Sequence, residues 1–222
     1  MRITPLPIAV LISGGGRTLR NFLARIDAGM LDVKIRLVVS SNPAAAGLDH
    51  ARRAGIATQV VDPKACEGGD AFRDSIFEAC RSADVQYVAM AGFIRHVLIP
   101  EDFRHRVINI HPALVPAFSG HGFYGHHVHQ AVLDHGSRVT GCTVHLVDDQ
   151  YDHGPIIAQR CVPVFEGDTA ETLAARVFQS ECDLYPQVLQ WIAEKKTTSD
   201  SVFGKQGRHG FNPPLPSPRT CP

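Results

Sequence analysis

The sequence predicts an α/β fold: a Rossmann-like, mostly parallel twisted sheet with helices on both faces and an antiparallel hairpin near its C-terminal end. Three observations lead there. Short apolar runs, residues 8–12 first among them, are too brief for helices, and each stops at glycine, serine or proline. The segments between the runs repeat apolar residues at helical spacing. Strands that are apolar nearly throughout, alternating with helices, imply a sheet covered on both sides.

Residues 7–12 form the first strand, and Ser13-Gly14-Gly15-Gly16 stops it. Leu19, Phe22, Leu23 and Ile26 mark one face of the next helix, and Gly29 stands where a left-handed residue closes one. A second strand covers 33–39 and ends at Ser40-Ser41-Asn42-Pro43; a helix over 44–54 stops at Gly55, and a short strand follows over 58–61. Asp70 is placed to cap a helix whose apolar face is Phe72, Ile76, Phe77 and Cys80. Strands are expected at 85–90 and 107–110. Beyond Gly120 the pattern changes to a Gly/His-rich loop and a helix over 126–134, ended by Gly136. Two strands, 141–147 and 156–164, then pair as a hairpin at the sheet edge, joined by an acidic loop. Asp168-Thr169-Ala170-Glu171 reads as a capping box for a helix running to about Lys195, interrupted or kinked at Pro186. From Thr197 the composition turns to Ser, Gly and Pro. One domain over 1–195 and a disordered tail over 196–222 are therefore expected.

Composition bounds the function. A chain of 222 residues with 44% hydrophobic content can bury one core without staples. Lys plus Arg (22) equals Asp plus Glu (22), which argues against a nucleic-acid partner and against polybasic membrane attachment. No apolar run nears the roughly 20 residues that span a bilayer, and the first run ends in glycines and not at a cleavage site. The cysteines at 66, 80, 142, 161, 182 and 221 form no Cys-x-x-Cys pair, so reduced thiols and a cytoplasmic setting are expected.

Four constellations carry chemistry. The glycine loop 13–19, between strand and helix, lets backbone amides and a helix N-terminus approach a phosphate. It lacks the lysine of a Walker loop, and Leu19 replaces the third glycine of a dinucleotide fingerprint; a monophosphate suits it better. A ligand-free tight turn is the plain alternative. Asn109 and His111 leave one strand on the same side, an amide beside an imidazole, suited to a developing oxyanion and to proton movement. Asp148, Asp149 and Asp152 share the acidic loop, ordinarily a solvated turn unless the fold returns a carboxylate to His111. Nine of twelve histidines fall between 105 and 153. A metal site on His126, His127 and His129 stays open, although no pair there has i, i+4 spacing.

Taken together, Leu11-Ile12-Ser13-Gly14-Gly15-Gly16, Gly55-Ile56-Ala57-Thr58, Ala91-Gly92-Phe93-Ile94-Arg95, Asn109-Ile110-His111-Pro112, Gly141-Cys142-Thr143-Val144-His145, Asp152-His153-Gly154-Pro155-Ile156 and Arg176-Val177 resemble the phosphoribosylglycinamide formyltransferase (GAR transformylase) family. The likeness runs from about Ile8 to about Ile192. It implies the formyltransferase fold and transfer of a formyl group from 10-formyltetrahydrofolate to the amine of 5-phosphoribosylglycinamide, in purine biosynthesis. It implies that Gly15, Gly16, Arg17 and Thr18 hold the substrate phosphate and that Glu181 contacts the same substrate. It places the folate against Ile94, Arg95, His96, Val97, Asn109, Asp148, Asp149, Gln150, Tyr151 and Asp152, and makes Asn109, His111 and Asp152 the catalytic trio. Asp152 would keep His111 charged by raising its pKa. The implied partners are these two small molecules, with no metal, nucleic acid or membrane, in a monomer or homodimer.

The chain departs from the family where Arg17-Thr18 replaces the usual Ser-Asn, where Gly69 replaces an arginine near the folate tail, where 120–124 is longer, and where Phe178 replaces a polar residue. A related transfer to methionyl-tRNA would call for a further C-terminal domain, and a formyltetrahydrofolate hydrolase for an N-terminal one. A catalytically silent binding module and a metal-dependent hydrolase on the 126–129 histidines are the alternatives of other classes.

Overall fold

The computed structural model describes residues 4–196, so the expectation of a disordered C-terminal tail lies outside the described residues. Seven strands, β1 (Leu6–Ile12), β2 (Val33–Ser40), β3 (Ala57–Val60), β4 (Tyr87–Met90), β5 (Val107–His111), β6 (Val139–Leu146) and β7 (Ile156–Pro163), make one sheet in the order β3-β2-β1-β4-β5-β6-β7. The first five are parallel. β6 runs against β5 and β7 against β6, so the hairpin forms one edge, as expected.

The α-helices among the described residues are α1 (Arg17–Asp27), α2 (Gly47–Arg53), α3 (Gly69–Ser82), α4 (His126–Asp134) and α5 (Ala170–Lys196). Alternation along β1 decides the layers. Ile8, Val10 and Ile12 enter one apolar cluster with Leu19 and Phe22 of α1, Leu48 of α2 and Leu173 to Ile192 of α5. Ala9 and Leu11 enter the other, with Phe72, Ile76 and Phe77 of α3. Among the described residues no helix is long and apolar enough to cross a membrane.

Helix ends correct several expectations. Gly29 closes α1 as expected: at φ 66° its N–H reaches Ile26 O at 2.9 Å, and the N–H of Met30 reaches Arg25 O at 2.9 Å. The helix expected over 44–54 is shorter, because Asn42 Oδ1 takes the N–H of Ala44 at 3.0 Å and makes a turn there. Asp70 does not cap α3. Gly68 holds the cap position, and Asp70 sits in the first turn, paired with Arg73 at 2.8 Å. The box that opens α5 is shifted by one residue: Thr169 Oγ1 accepts from the N–H of Thr172 at 3.3 Å, and Thr172 Oγ1 accepts from the N–H of Thr169 at 3.0 Å.

Pro186 does not interrupt α5, which runs unbroken from Ala170 to Lys196. A proline has no N–H for the carbonyl four residues earlier. Cys182 O, that carbonyl, instead accepts from Asn21 Nδ2 of α1 at 2.8 Å. The side chain of a neighbouring helix thus replaces the missing helical bond.

Candidate active site

From β1 the chain moves outward through β2 to β3, then crosses back to the other side of β1 for β4 and β5. In a doubly wound sheet the crevice at the strand C-termini beside such a reversal is where ligands bind. A cleft of about 1150 Å³ opens there. Gly15 to Thr18 line it after β1, Ile94 to Val97 after β4, Asn109 and His111 on β5, Asp148 and 150–152 between β6 and β7, and Glu181 on α5. Of the site residues the resemblance implied, Asp149 alone is off the cleft wall.

The antiparallel register sets His145 opposite Asn109 and Thr143 opposite His111. Residues directly opposite share a face, so the three polar side chains of Asn109, His111 and His145 gather on one side. Asp152 reaches all three. Its Oδ2 lies 3.2 Å from His111 Nδ1, and its Oδ1 lies 3.6 Å from His145 Nε2 and accepts from Asn109 Nδ2 at 3.4 Å. Thr143 Oγ1 donates to Ala113 O at 2.7 Å and accepts from the N–H of Val115 at 3.0 Å, which ties down the chain leaving β5.

Proton positions follow from the partners. Leu146 O can only accept, so His145 Nδ1, 2.8 Å away, carries the proton. His145 Nε2 is then an acceptor for Asn109 Nδ2 at 3.2 Å. Both amide hydrogens of Asn109 are directed inward, the better to His145 and the longer to Asp152. His111 has acceptors at both nitrogens, Asp152 at Nδ1 and Phe118 O at Nε2, 2.8 Å.

The expected rise in the His111 pKa is not what results. Burial is the largest influence and holds the imidazole below the ordinary histidine value; Asp152, then the Phe118 carbonyl, pull the other way without overcoming it. The direction of the Asp152 effect was right, and the dehydration of a ring whose side chain is 4% exposed outweighs it. Burial also opposes charge on Asp152, but the neighbouring His145 and His111 rings and the N–H of Gly120 at 3.1 Å hold its carboxyl below the usual range.

The acidic loop is exposed at Asp149, Gln150, Tyr151 and His153, yet each of its carboxylates has a partner. Asp148 Oδ1 takes the N–H of Gln150 at 2.9 Å, and its Oδ2 meets His153 Nδ1 at 2.8 Å. Asp149 Oδ1 takes the N–H of Ile99 at 3.1 Å, and its carbonyl meets His96 Nε2 at 3.0 Å. Asp149 therefore buckles the loop to the 94–99 wall from behind. Asp152 itself is left-handed, at φ 49°. A Cβ at Gly154 would collide with the Leu146 carbonyl, so only glycine lets the loop return into β7.

Across the cleft, Gly14 and Gly15 face open space, whereas Gly16 has φ 67° and a Cβ there would come within 2.6 Å of Gly47 Cα. Gly16 is thus required by its packing on α2, before any ligand is considered. Thr18 is buried, and Arg17 is exposed with its guanidinium carbon 3.6 Å from the Phe178 ring centroid. Burial pushes the Glu181 carboxyl up to about 7, with Arg17 pulling it down.

Sequence reasoning gave no role to His145 or to the main chain of Phe118 and Gly120, and it read His129 only as a possible metal ligand. His145 stood inside a quoted motif without a role, and its place opposite Asn109 depends on hairpin register. The main-chain groups of Phe118 and Gly120 leave no mark in the sequence. His129, buried at 5% exposure with its Nδ1 unpartnered, lines the cleft, and burial pulls its pKa down to about 4. The metal reading of 126–129 finds no support: His126 lies 3.7 Å from Glu171, and among the described residues no cluster of His, Cys, Asp or Glu that could hold a metal is present.

Known proteins resemble this chain in sequence and fold. A model of the formyl transferase family matches residues 6–189. A Vigna unguiculata protein named phosphoribosylglycinamide formyltransferase, chloroplastic, is 38% identical over 85% of this chain and 61% of its own length. The phosphoribosylglycinamide formyltransferase of Escherichia coli (strain K12) is 36% identical over 84% of this chain and 87% of its own length. The chain thus spans about three fifths of the plant relative. The structure of glycinamide ribonucleotide transformylase 1 from Symbiobacterium toebii superposes with a TM-score of 0.81 at 38% identity, covering 87% of this chain and 90% of that one. This chain belongs to the formyl transferase family, alongside relatives that bear the phosphoribosylglycinamide formyltransferase name.

Proposed function

We propose that the chain transfers the formyl group of 10-formyltetrahydrofolate to the amine of 5-phosphoribosylglycinamide. The observation that carries this reading is the convergence of Asn109, His111 and Asp152 in one cleft with a glycine loop that can take a phosphate. The donor would lie along Ile94 to Val97 and the acidic loop. The acceptor would stretch from Gly15–Thr18 past Glu181 to the trio.

In that pose the amine nitrogen bonds to the formyl carbon and charge builds on the formyl oxygen. Asn109 can give up its longer hydrogen bond, to Asp152, and donate to that oxygen while His145 keeps the amide oriented. His111 exchanges the Phe118 carbonyl for the same oxygen at Nε2. Replacing a neutral acceptor with a developing anion raises the proton affinity of the ring, so the cost of charging a buried histidine is offset where the reaction needs it. The carbon–nitrogen bond to the folate then breaks, and the proton lost by the amine goes to the departing folate nitrogen, with Asp152 holding a relay water. No covalent bond to the protein forms.

The test is incubation of the purified protein with 10-formyltetrahydrofolate and glycinamide ribonucleotide, following tetrahydrofolate release. Release only in the presence of both is the expected result. Release without the ribonucleotide would make the chain a hydrolase of the formyl folate instead.

A further inference from the structure

Among the described residues three arginines lie over phenylalanine rings, and they differ in one respect. Arg81 lies over Phe103 and also binds Asp102 at 2.8 Å; Arg176 lies over Phe165 and also binds Asp168 at 2.7 Å. Arg17, the closest of the three to its ring, has neither a carboxylate within ion-pair distance nor a carbonyl acceptor among the described residues. Its surroundings add no anion. The first turn of α1 holds no acidic residue, and no side chain caps its amides. The Glu181 carboxyl, which feels the Arg17 charge, is itself held back from ionising by burial. A guanidinium, a helix N-terminus and two open glycines therefore face the cleft with their positive potential unanswered.

We infer that Phe178 is a positioning residue that determines specificity: its ring holds the Arg17 guanidinium beside the glycine loop, so that the site takes a phosphorylated ribose and discriminates against the unphosphorylated one. This rests on the placing of the acceptor phosphate under the proposed function. A ring beneath a guanidinium covers one face of the group and leaves the in-plane N–H donors on its rim free for phosphate oxygens. It also restrains a long side chain before the ligand arrives, which lowers the entropy lost on binding. The Phe178 side chain carries no polar atom to offer a phosphate, so it works only through Arg17.

The test measures ribose 5-phosphate and ribose binding to the full-length protein by titration calorimetry. Phe178→Leu keeps apolar volume without the ring and is expected to weaken ribose 5-phosphate roughly five- to tenfold. Phe178→Tyr restores the ring and should stay within about twofold of wild type. Ribose binding should not respond to either. In the Arg17→Met background Phe178→Leu should have no further effect. In turnover, Phe178→Leu should raise KM for the phosphoribosyl substrate by the same factor, with kcat and the donor KM unchanged. The inference is overturned if ribose 5-phosphate does not bind wild type, if Phe178→Leu binds it normally, or if the loss persists without Arg17. If the calorimetric pattern holds but the protein releases no tetrahydrofolate, the formyl-transfer reading fails alone.

Discussion

Where β1 ends, the cleft is walled by main chain: open glycines, the free amides of α1 and one guanidinium laid on a ring. Where β5 and β6 lie side by side, it is walled by four side chains, Asn109, His111, His145 and Asp152, each bonded to at least one other. The difference decides what each wall tolerates. Backbone amides stay in place when a neighbouring side chain changes, so a substitution at Arg17 or Phe178 leaves the loop amides in position and alters only what the guanidinium adds. In the second wall, removing one group leaves its partner buried and unpaired, at about 1–3 kcal/mol or more for a charged one.

The largest effect expected from breaking the side-chain wall follows Asp152→Asn. The carboxylate is the strongest influence raising the His111 pKa against burial, and its loss leaves that ring neutral at the moment the oxyanion forms. We expect kcat to fall on the order of 10²–10³, with donor KM little changed. Asp149→Asn is the matched control, because an amide oxygen can still accept from Ile99. Comparable small losses in both variants would remove Asp152 from the trio.

His129 sharpens the comparison through pH. It is neutral when folded, with a pKa of about 4 against 6.5 for an ordinary histidine. Below pH 6.5 the unfolded chain binds a proton that the folded chain does not, so stability is full above 6.5 and declines as pH falls towards 4. A difference of about 2.5 units amounts to about 3 kcal/mol. His129→Leu should flatten the fall of Tm between pH 6.5 and 4. An unchanged slope would show that the ring meets water.

A smaller effect is expected at His145. His145→Leu leaves one amide hydrogen of Asn109 without its acceptor, and the carboxamide loses its fixed orientation. About 1–2 kcal/mol of transition-state stabilisation should go, roughly a tenfold loss in kcat, with KM for the phosphoribosyl substrate unchanged. A rise in that KM with normal kcat would place His145 in the other wall.

The same division explains what could be read from the chain itself. The sheet, its layers and its hairpin edge were legible because apolar alternation and glycine stops are local signals, as at 7–16 and 33–43. The glycine loop was legible for the same reason. The side-chain wall was not: Asn109 beside His111 is visible in a strand, but Asp152 lies more than forty residues on, and only the resemblance joined them. His145 was invisible as a partner because antiparallel register is set by the whole hairpin. The sign of the His111 shift depended on dehydration, which no motif encodes. Asp70 and the α5 box misled because several acids and threonines near a helix start compete for the same amides, and backbone geometry chooses among them.

The smallest effect probes the main-chain wall from beneath. Pro186 deprives Cys182 O of its helical donor, and Asn21, reaching from α1, supplies another at 2.8 Å. That bond joins the helix that opens at the glycine loop to the helix that carries Phe178 and Glu181. Asn21→Ala should cost about 1 kcal/mol, the usual net value of such a bond, and lower Tm by about 2–4 °C in a chain of this size. Activity should move little, because the amides of the loop belong to α1 itself. The cause is separable by a double-mutant cycle. Pro186→Ala gives residue 186 an N–H that can donate to Cys182 O, so in that background Asn21→Ala should cost clearly less than in the wild type. If the two losses are equal, Asn21 stabilises the pair of helices by packing alone, and the replacement bond across Pro186 contributes nothing measurable.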